Sequence, residues 1–259
     1  GHDGINFSLA SREAIANLIE IHVRATTFDG GVFLSSCDKA IPAHLMAIGR
    51  LNIPAILVPG GVMPAGPDLL TADETGKYYS MYKRGEITRE EYFYYEKNSC
   101  TTCGACSMMG TACTMQILAE ALGLALPGTA LLPGSGEELK EAAAEAGKQI
   151  VKLAYMGLNS RDIVNLKSFE NAIMVHAAIS GSSNALLNIP AIAHEFGIEL
   201  DDETFDRIHR NARYLLNIRP AGKWPTEYFY YAGGLPAIME EIKDVLHLEV
   251  RTVTGKTLG

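Results

Sequence analysis

The chain has 259 residues, 47% hydrophobic and 20% charged, enough to bury a large core as one large domain or two small ones. Its formal net charge of −8 leaves no basic stripe to neutralise phosphates, which argues against a nucleic-acid partner. No apolar run reaches about 18 residues, so no helix is expected to span a membrane.

The start, Gly1-His2-Asp3-Gly4, has no initiator Met and reads as loop, as expected of a chain that begins inside a longer protein. No charged-then-apolar leader follows it. Residues 8 to 24 predict a helix with Ser8 or Ser11 as cap and Leu9, Ile15, Leu18, Ile19 and Ile21 as its apolar side. Residues 31 to 35 read as a buried strand, and a helix follows to about Leu51, with Pro42 in its first turn. Ile53 to Val58 reads as a second buried strand, stopped by Pro59-Gly60-Gly61. That order is a βαβ unit and predicts a parallel sheet.

Residues 63 to 99 open on Pro64, Gly66 and Pro67 and predict two short tyrosine-rich helices, with Thr88 capping the second by pairing with Glu91. The tyrosines suit either stacking on a base or sugar, or an aromatic lid over a core or subunit contact. Asn98 to Gly110 is a cysteine-bearing loop, Thr111 to Leu122 a helix closed by Gly123, and Pro127 to Gly136 a loop. Glu137 to Met156 is a long amphipathic helix stopped by Gly157; Ser160 begins a short helix in which Arg161 and Asp162 read as an ion pair. Ser168 caps the next helix, and Ser180-Gly181-Ser182-Ser183-Asn184 opens the helix from Ala185 to Glu195. Asp201 to Thr204 starts a further helix with acidic residues at its positive end. Gly233-Gly234 precedes a final helix to about Val245, and the tail from Leu248 to Gly255 reads as a strand.

Three stretches carry chemistry. Ser35-Ser36-Cys37-Asp38-Lys39 places a thiol, a carboxylate and an amine on one strand-to-helix turn, where ligands bind in open α/β sheets. Soft sulfur beside hard oxygen suits two different inorganic centres; the plainer reading is a buried structural cysteine beside a solvated Asp-Lys pair. Cys100-x2-Cys103-x2-Cys106 has the spacing of an iron–sulfur segment, without the usual fourth Cys before Pro; Cys113 follows after six intervening residues. Five cysteines, odd in number and clustered, do not read as a disulfide framework and point to a cytoplasmic chain. The Ser180 to Asn184 turn offers hydroxyls and free N–H groups to a carboxylate or phosphate, or is simply a helix start. The seven histidines show no metal-ligand spacing and read as core or surface residues.

Taken together, the stretches Cys37-Asp38-Lys39-x2-Pro42-Ala43-His44-Leu45-Met46-Ala47, Cys106-x2-Met109-Gly110-Thr111-Ala112-x-Thr114-Met115 and Glu120-Ala121-Leu122-Gly123-Leu124-x-Leu126-Pro127-Gly128 resemble the dihydroxy-acid and phosphogluconate dehydratase family. Phe169-Glu170-Asn171-Ala172, the Ser180–Asn184 turn, Ala191 to Glu195 and Thr252 to Thr257 continue the match in order over the whole chain. Met109-Gly110-Thr111-Ala112 and Gly233-Gly234-Leu235-Pro236 lean toward its sugar-acid, xylonate-type members.

The resemblance implies an α/β fold, a three-layer αβα domain with a mainly parallel sheet, residues 1 to 259 being an amino-terminal cluster- and metal-binding domain. It implies Cys37 and Cys106 as ligands of an iron–sulfur cluster, [2Fe–2S] rather than [4Fe–4S], and Asp38 with a carbamylated Lys39 as ligands of Mg2+. Ser182, Ser183 and Asn184 are the expected substrate contacts. The expected enzyme is a hydro-lyase converting a 2,3-dihydroxy sugar acid such as xylonate to a 2-keto-3-deoxy acid, as a homodimer or homotetramer. A third cluster cysteine and a metal-binding Asp are expected upstream, and the catalytic base and a metal-ligating Glu in a second domain, so the piece alone is expected to be inactive. Cys100, Cys103 and Cys113 have no family role. The alternatives are the dihydroxy-acid dehydratase of branched-chain amino-acid synthesis and a non-catalytic, cysteine-rich cluster module.

Overall fold

A computed structural model describes residues 3–259, so Gly1 and His2 of the loop-like start lie outside the described residues; Asp3–Phe7 is a 3-10 turn. The core begins as the sequence predicts. β1 (Gly31–Ser35) and β2 (Ala55–Pro59) pair in parallel, Gly31 opposite Ala55 and Ser35 opposite Pro59, with α2 (Ala40–Leu51) crossing between them. Both strands carry alternating or continuous apolar residues, and all of β2 is buried. Among the described residues this pair is the whole named sheet, and helices make up most of the rest. The α/β class therefore holds around a small parallel nucleus. The free side of β2 is used by the loop after α5 (Thr111–Ala121), where the Leu57 amide donates to the Leu124 carbonyl at 2.8 Å. Among the described residues β1 has only β2 as a strand partner, and Leu34 on it is exposed.

α1 (Ser8–Arg24) and α2 pack side by side, and α6 (Glu137–Met156) packs on both strands. Two expectations about α1 fail. Phe7 occupies the cap position without a side-chain bond, while the Ser11 hydroxyl donates within the first turn to the Ser8 carbonyl. Leu9, Leu18 and Ile21 of the expected apolar side are exposed, while Ile15 and Ile19 do pack against the core and Ala16 is fully buried. A polar anchor sets this rotation: Arg50 on α2 reaches Asn17 at 2.6 Å, Glu20 at 3.4 Å and Glu195 at 2.7 Å.

The tyrosine segment forms α3 (Thr75–Lys83) and α4 (Arg89–Asn98), the latter started by the predicted Thr88–Glu91 capping box. Its rings are used largely on one another, Tyr78 stacking on Tyr95 at 3.6 Å and Tyr82 on Tyr92 at 5.5 Å. α6 ends at Gly157, whose φ of 62° is the left-handed stop the sequence implied.

α7 (Ser160–Ile163) is capped by Asn159, with Asp162 accepting from the Asn159 amide at 2.9 Å. Arg161 ignores Asp162 and donates to the carbonyls of Gly49 and Glu195, both at 3.1 Å, so the expected ion pair is replaced by a tie between helices. α8 (Leu166–Ala178) starts at Asn165, and Ser168 sits three residues in as the other half of its capping box. α9 (Ala185–Glu195) and α10 (Asp202–Asn211) follow, Asp201 capping the second through the Thr204 amide. The aromatic helix α11 (Thr226–Tyr231) lacked a sequence signal, and α12 (Gly234–Glu241) runs into a 3-10 turn ending at Val245.

The tail is not a strand. It doubles back at Gly255, with the Thr252 amide donating to Lys256 and the Leu258 amide to Val250, leaving only an isolated Arg251–Thr257 bridge. Its β-prone residues meet their own chain rather than a neighbouring strand. No described helix is long and apolar enough to cross a membrane.

Candidate functional site

Three segments distant in sequence converge on one cleft of about 950 Å³ at the carboxyl end of β1. The first wall is Ser35 to Asp38 with Ala40 and His44, the second Gly104 to Cys106 with Met108 to Cys113, and the third Ser180 to Ser183. Pro220 and Ala221 close the rim.

The first wall is shaped by the strand-to-helix turn. Gly60 donates to the Ser35 carbonyl at 2.8 Å and lies so close that a Cβ there would stand 2.4 Å from the Ser36 Cβ, so glycine is required for this approach. Beyond Ser36 the Cys37 carbonyl accepts the Ile41 amide at 3.0 Å, starting α2. The Cys37 thiol is exposed and donates to Asp38 Oδ1 at 3.3 Å. Desolvation and then the Asp38 carboxylate push this thiol up, although it is open to the cleft. Lys39 caps α2 and flanks the cleft without lining it.

The second wall is a loop stitched into place on both sides. Ala105 donates to Gly61 at 2.8 Å and accepts from Met63 at 2.9 Å, and Met109 donates to the Arg219 carbonyl at 2.7 Å. Cys106 is exposed; its thiol is raised by desolvation and by the nearby Cys100, Asp38 and Cys37, which places it electrostatically beside the first wall. Cys113 differs entirely. Buried on α5, it donates to the Cys106 carbonyl at 3.1 Å, and burial pushes its thiol up to about 12. It is a structural thiol behind the exposed one.

Cys100 and Cys103 are exposed but do not line the cleft, and the Cys103 thiol donates to the Gly134 carbonyl at 3.4 Å. Among the described residues no three or more His, Cys, Asp or Glu side chains gather closely enough to hold a metal ion. The three-thiol site suggested by the Cys100-x2-Cys103-x2-Cys106 spacing is therefore not assembled.

The third wall is held by hydroxyls. Ser182 donates its amide to Thr114 Oγ1 at 2.9 Å, its own hydroxyl lies 3.1 Å from Thr111 Oγ1, and Asn184 donates to Thr111 Oγ1 at 2.8 Å. Ser182 and Ser183 line the cleft; Asn184 sits just outside as the residue before α9. Spacing had singled out none of Thr111, Thr114 and His44, which stand inside or beside quoted motifs but at positions with no ligand pattern. Ser35 and His44 line the cleft, and their Oγ and Nδ1 atoms are buried without a hydrogen-bond partner among the described residues; desolvation lowers the His44 pKa.

The cleft thus gathers positions that lie far apart in the chain. The sequence profile described as Dihydroxy-acid/6-phosphogluconate dehydratase N-terminal matches residues 1–259. The chain belongs to that family. Its relatives include the protein named dihydroxy-acid dehydratase 1 of Methanosarcina acetivorans, 44% identical over 265 residues. They also include the dihydroxy-acid dehydratases of Caldanaerobacter subterraneus subsp. tengcongensis, 44% identical over 264 residues, and Halothermothrix orenii, 42% over 270. Each alignment covers 100% of this chain but 47% or 48% of the relative, so the chain spans about half the length of these proteins. The names carried by these relatives favour the branched-chain alternative over the sugar-acid expectation.

Proposed function

We propose that the whole protein is a dehydratase that removes water from a 2,3-dihydroxy carboxylic acid to give a 2-keto acid, with a short branched dihydroxy acid as its substrate. The single observation that carries this reading is the convergence of Cys37, Asp38, Cys106 and the Ser182–Ser183 turn on one cleft in a chain of the dehydratase family.

The residues fit an iron–sulfur cluster and Mg2+ as part of a ligand set. Two exposed thiols face each other's field across the cleft, and a carboxylate stands beside one of them. Cys37 and Cys106 would hold the cluster, [2Fe–2S] or [4Fe–4S], and Asp38 with a carbamylated Lys39 would hold Mg2+, the remaining ligands coming from the rest of the whole protein. When bound, such centres supply Lewis acidity toward hydroxyl and carboxylate oxygens.

The chain's own residues do the rest of the binding work. Ser182 and Ser183 present hydroxyls to the acid, while Met108, Met109 and Ala105 give the cleft apolar surface that excludes water from the reacting carbons. The reaction takes the C2 proton and releases the C3 hydroxyl as water; the resulting enol tautomerises to the 2-keto acid. The base that takes the C2 proton is assigned to the domain beyond this chain, so residues 1 to 259 alone are expected to be inactive.

The test is anaerobic purification of the full-length protein, iron and sulfide analysis, and assay on dihydroxyisovalerate, xylonate and gluconate. We expect iron and sulfide in the wild type, loss of both in C37A and C106A, and keto-acid formation from dihydroxyisovalerate. Turnover of xylonate alone would restore the sugar-acid reading. Full iron content in both variants would sink the cluster assignment.

A further inference from the structure

Behind the third wall lies a buried histidine that the proposed reaction does not use. His176, on α8, is 5% exposed. Its Nε2 lies 3.1 Å from the Ser182 carbonyl oxygen, and its Nδ1 lies 3.2 Å from Nε2 of His209 on α10. The two rings are nearly parallel, at 16°.

The hydrogen-bond partners fix the tautomers. A carbonyl only accepts, so His176 Nε2 carries the proton. Burial, and the neighbouring His209, hold the His176 ring neutral, leaving Nδ1 as a bare acceptor. His209 Nε2 must then be the donor. The relay runs from His209 Nε2–H to His176 Nδ1, and from His176 Nε2–H to the Ser182 carbonyl.

The turn is pressed onto this ring. A Cβ on Gly181 would stand 2.5 Å from His176 Cδ2, and Gly181 donates its own amide to the His176 carbonyl at 2.9 Å. Ser180 takes a φ of 50°, in the left-handed region, a conformation its surroundings have to hold in place.

We propose that His176, oriented by His209, is a positioning residue that fixes the Ser180–Asn184 turn for binding the carboxylate or hydroxyl of the substrate acid. This rests on the reading of that turn as an acid-binding wall. The groups facing the pair are few. α5 contributes the neutral Thr114, the turn contributes Gly181 and Ser182, and α10 contributes Phe205 against His209 with Asp206 behind it, itself bonded to Arg210 at 2.6 Å. A proton added at His176 Nδ1 would set two N–H groups against each other, so acidification far enough to charge this ring, which burial has moved below the ordinary histidine range, loosens the turn.

Two measurements test this. Nitrogen-15 NMR of the histidine rings in the full-length protein should show His176 and His209 both protonated at Nε2 and bare at Nδ1. In the full-length protein, H176L should raise KM for dihydroxyisovalerate about tenfold with kcat changed less than about threefold, the loss of one buried hydrogen bond. H176Q places an amide donor near the Nε2 position, so it should keep KM within about threefold of wild type and remove the rise of KM at acid pH. A Nδ1–H tautomer at His176 would overturn the proposal, as would equal KM values for H176L and H176Q. Should the full-length protein dehydrate no acid, the function reading fails. Amide exchange over residues 180 to 184 then decides, fast in H176L and slow in H176Q if the proposal stands.

Discussion

The cleft and the loop around Glu120 both hold acidic or nucleophilic groups, yet they treat them in opposite ways. Glu120, on α5, is 7% exposed, and both of its oxygens are used: Oε1 accepts the Gly128 amide at 2.6 Å and Oε2 the Ala130 amide at 2.8 Å. The cleft leaves Ser35 Oγ and His44 Nδ1 without partners and two thiols open. A satisfied buried group organises backbone, whereas an unsatisfied one keeps its bonding capacity for something that arrives later. Ser107, Gln116, Asn188 and Thr226 also carry buried atoms without a partner among the described residues but do not line the cleft, so the contrast bears on function only where a cavity adjoins the group.

The largest effect that could break this contrast is at Glu120. E120A strips the partners from the buried Ala130 amide and the half-buried Gly128 amide, and urea unfolding should show a loss of about 2 kcal/mol or more. A loss under about 1 kcal/mol would mean that the loop finds other partners.

The pH dependence of the same site is next. Burial raises the Glu120 carboxyl to about 7, against the opposing pull of the Gly128, Ala130 and Thr129 amides. The folded chain then holds a proton that the unfolded chain releases above about 4.5. The stability from this group is complete below that value and is lost as pH rises through 7. Because E120Q does not titrate, its stability deficit relative to wild type should shrink between pH 4.5 and pH 7, with a limiting slope of about 1.4 kcal/mol per pH unit. A deficit that grows across this range would mean the carboxylate is held ionised.

Two small effects should come from the cleft in the metal-free chain. C37A should change stability by less than about 1 kcal/mol, because its thiol bonds only the neighbouring Asp38. S35A should be neutral or slightly stabilising, within about 0.5 kcal/mol, because the hydroxyl it removes has no partner. A large loss in either would place a structural role where the contrast puts a functional one.

Local signals carried most of the fold. The Thr88–Glu91 box, the left-handed Gly157 stop and the Asp201 cap need only residues three or four positions apart, and all are present. Pairwise choices between distant segments were not legible. Leu9, Leu18 and Ile21 look like a buried stripe until Arg50 turns α1 by its polar contacts, and Arg161 looks like the partner of Asp162 until two carbonyls from α2 and α9 claim it. The tail's alternation was honest β-propensity with no strand beside it. In the site, Cys37 and Ser182 were each readable from their own turns. That they face one cavity came only from the resemblance, since spacing carries no information on convergence. The His176–His209 contact had no sequence trace because its two members lie on different helices.

β1 is the strand whose end places Cys37, and among the described residues it has one paired edge and one open edge. An open edge is a row of unanswered amides and carbonyls, the usual seed of strand-to-strand association between molecules. The cleft is thus suspended from the least secured margin of the sheet. Whatever chain comes to lie along that margin, its own or another's, will also set the height and tilt of the Cys37 turn.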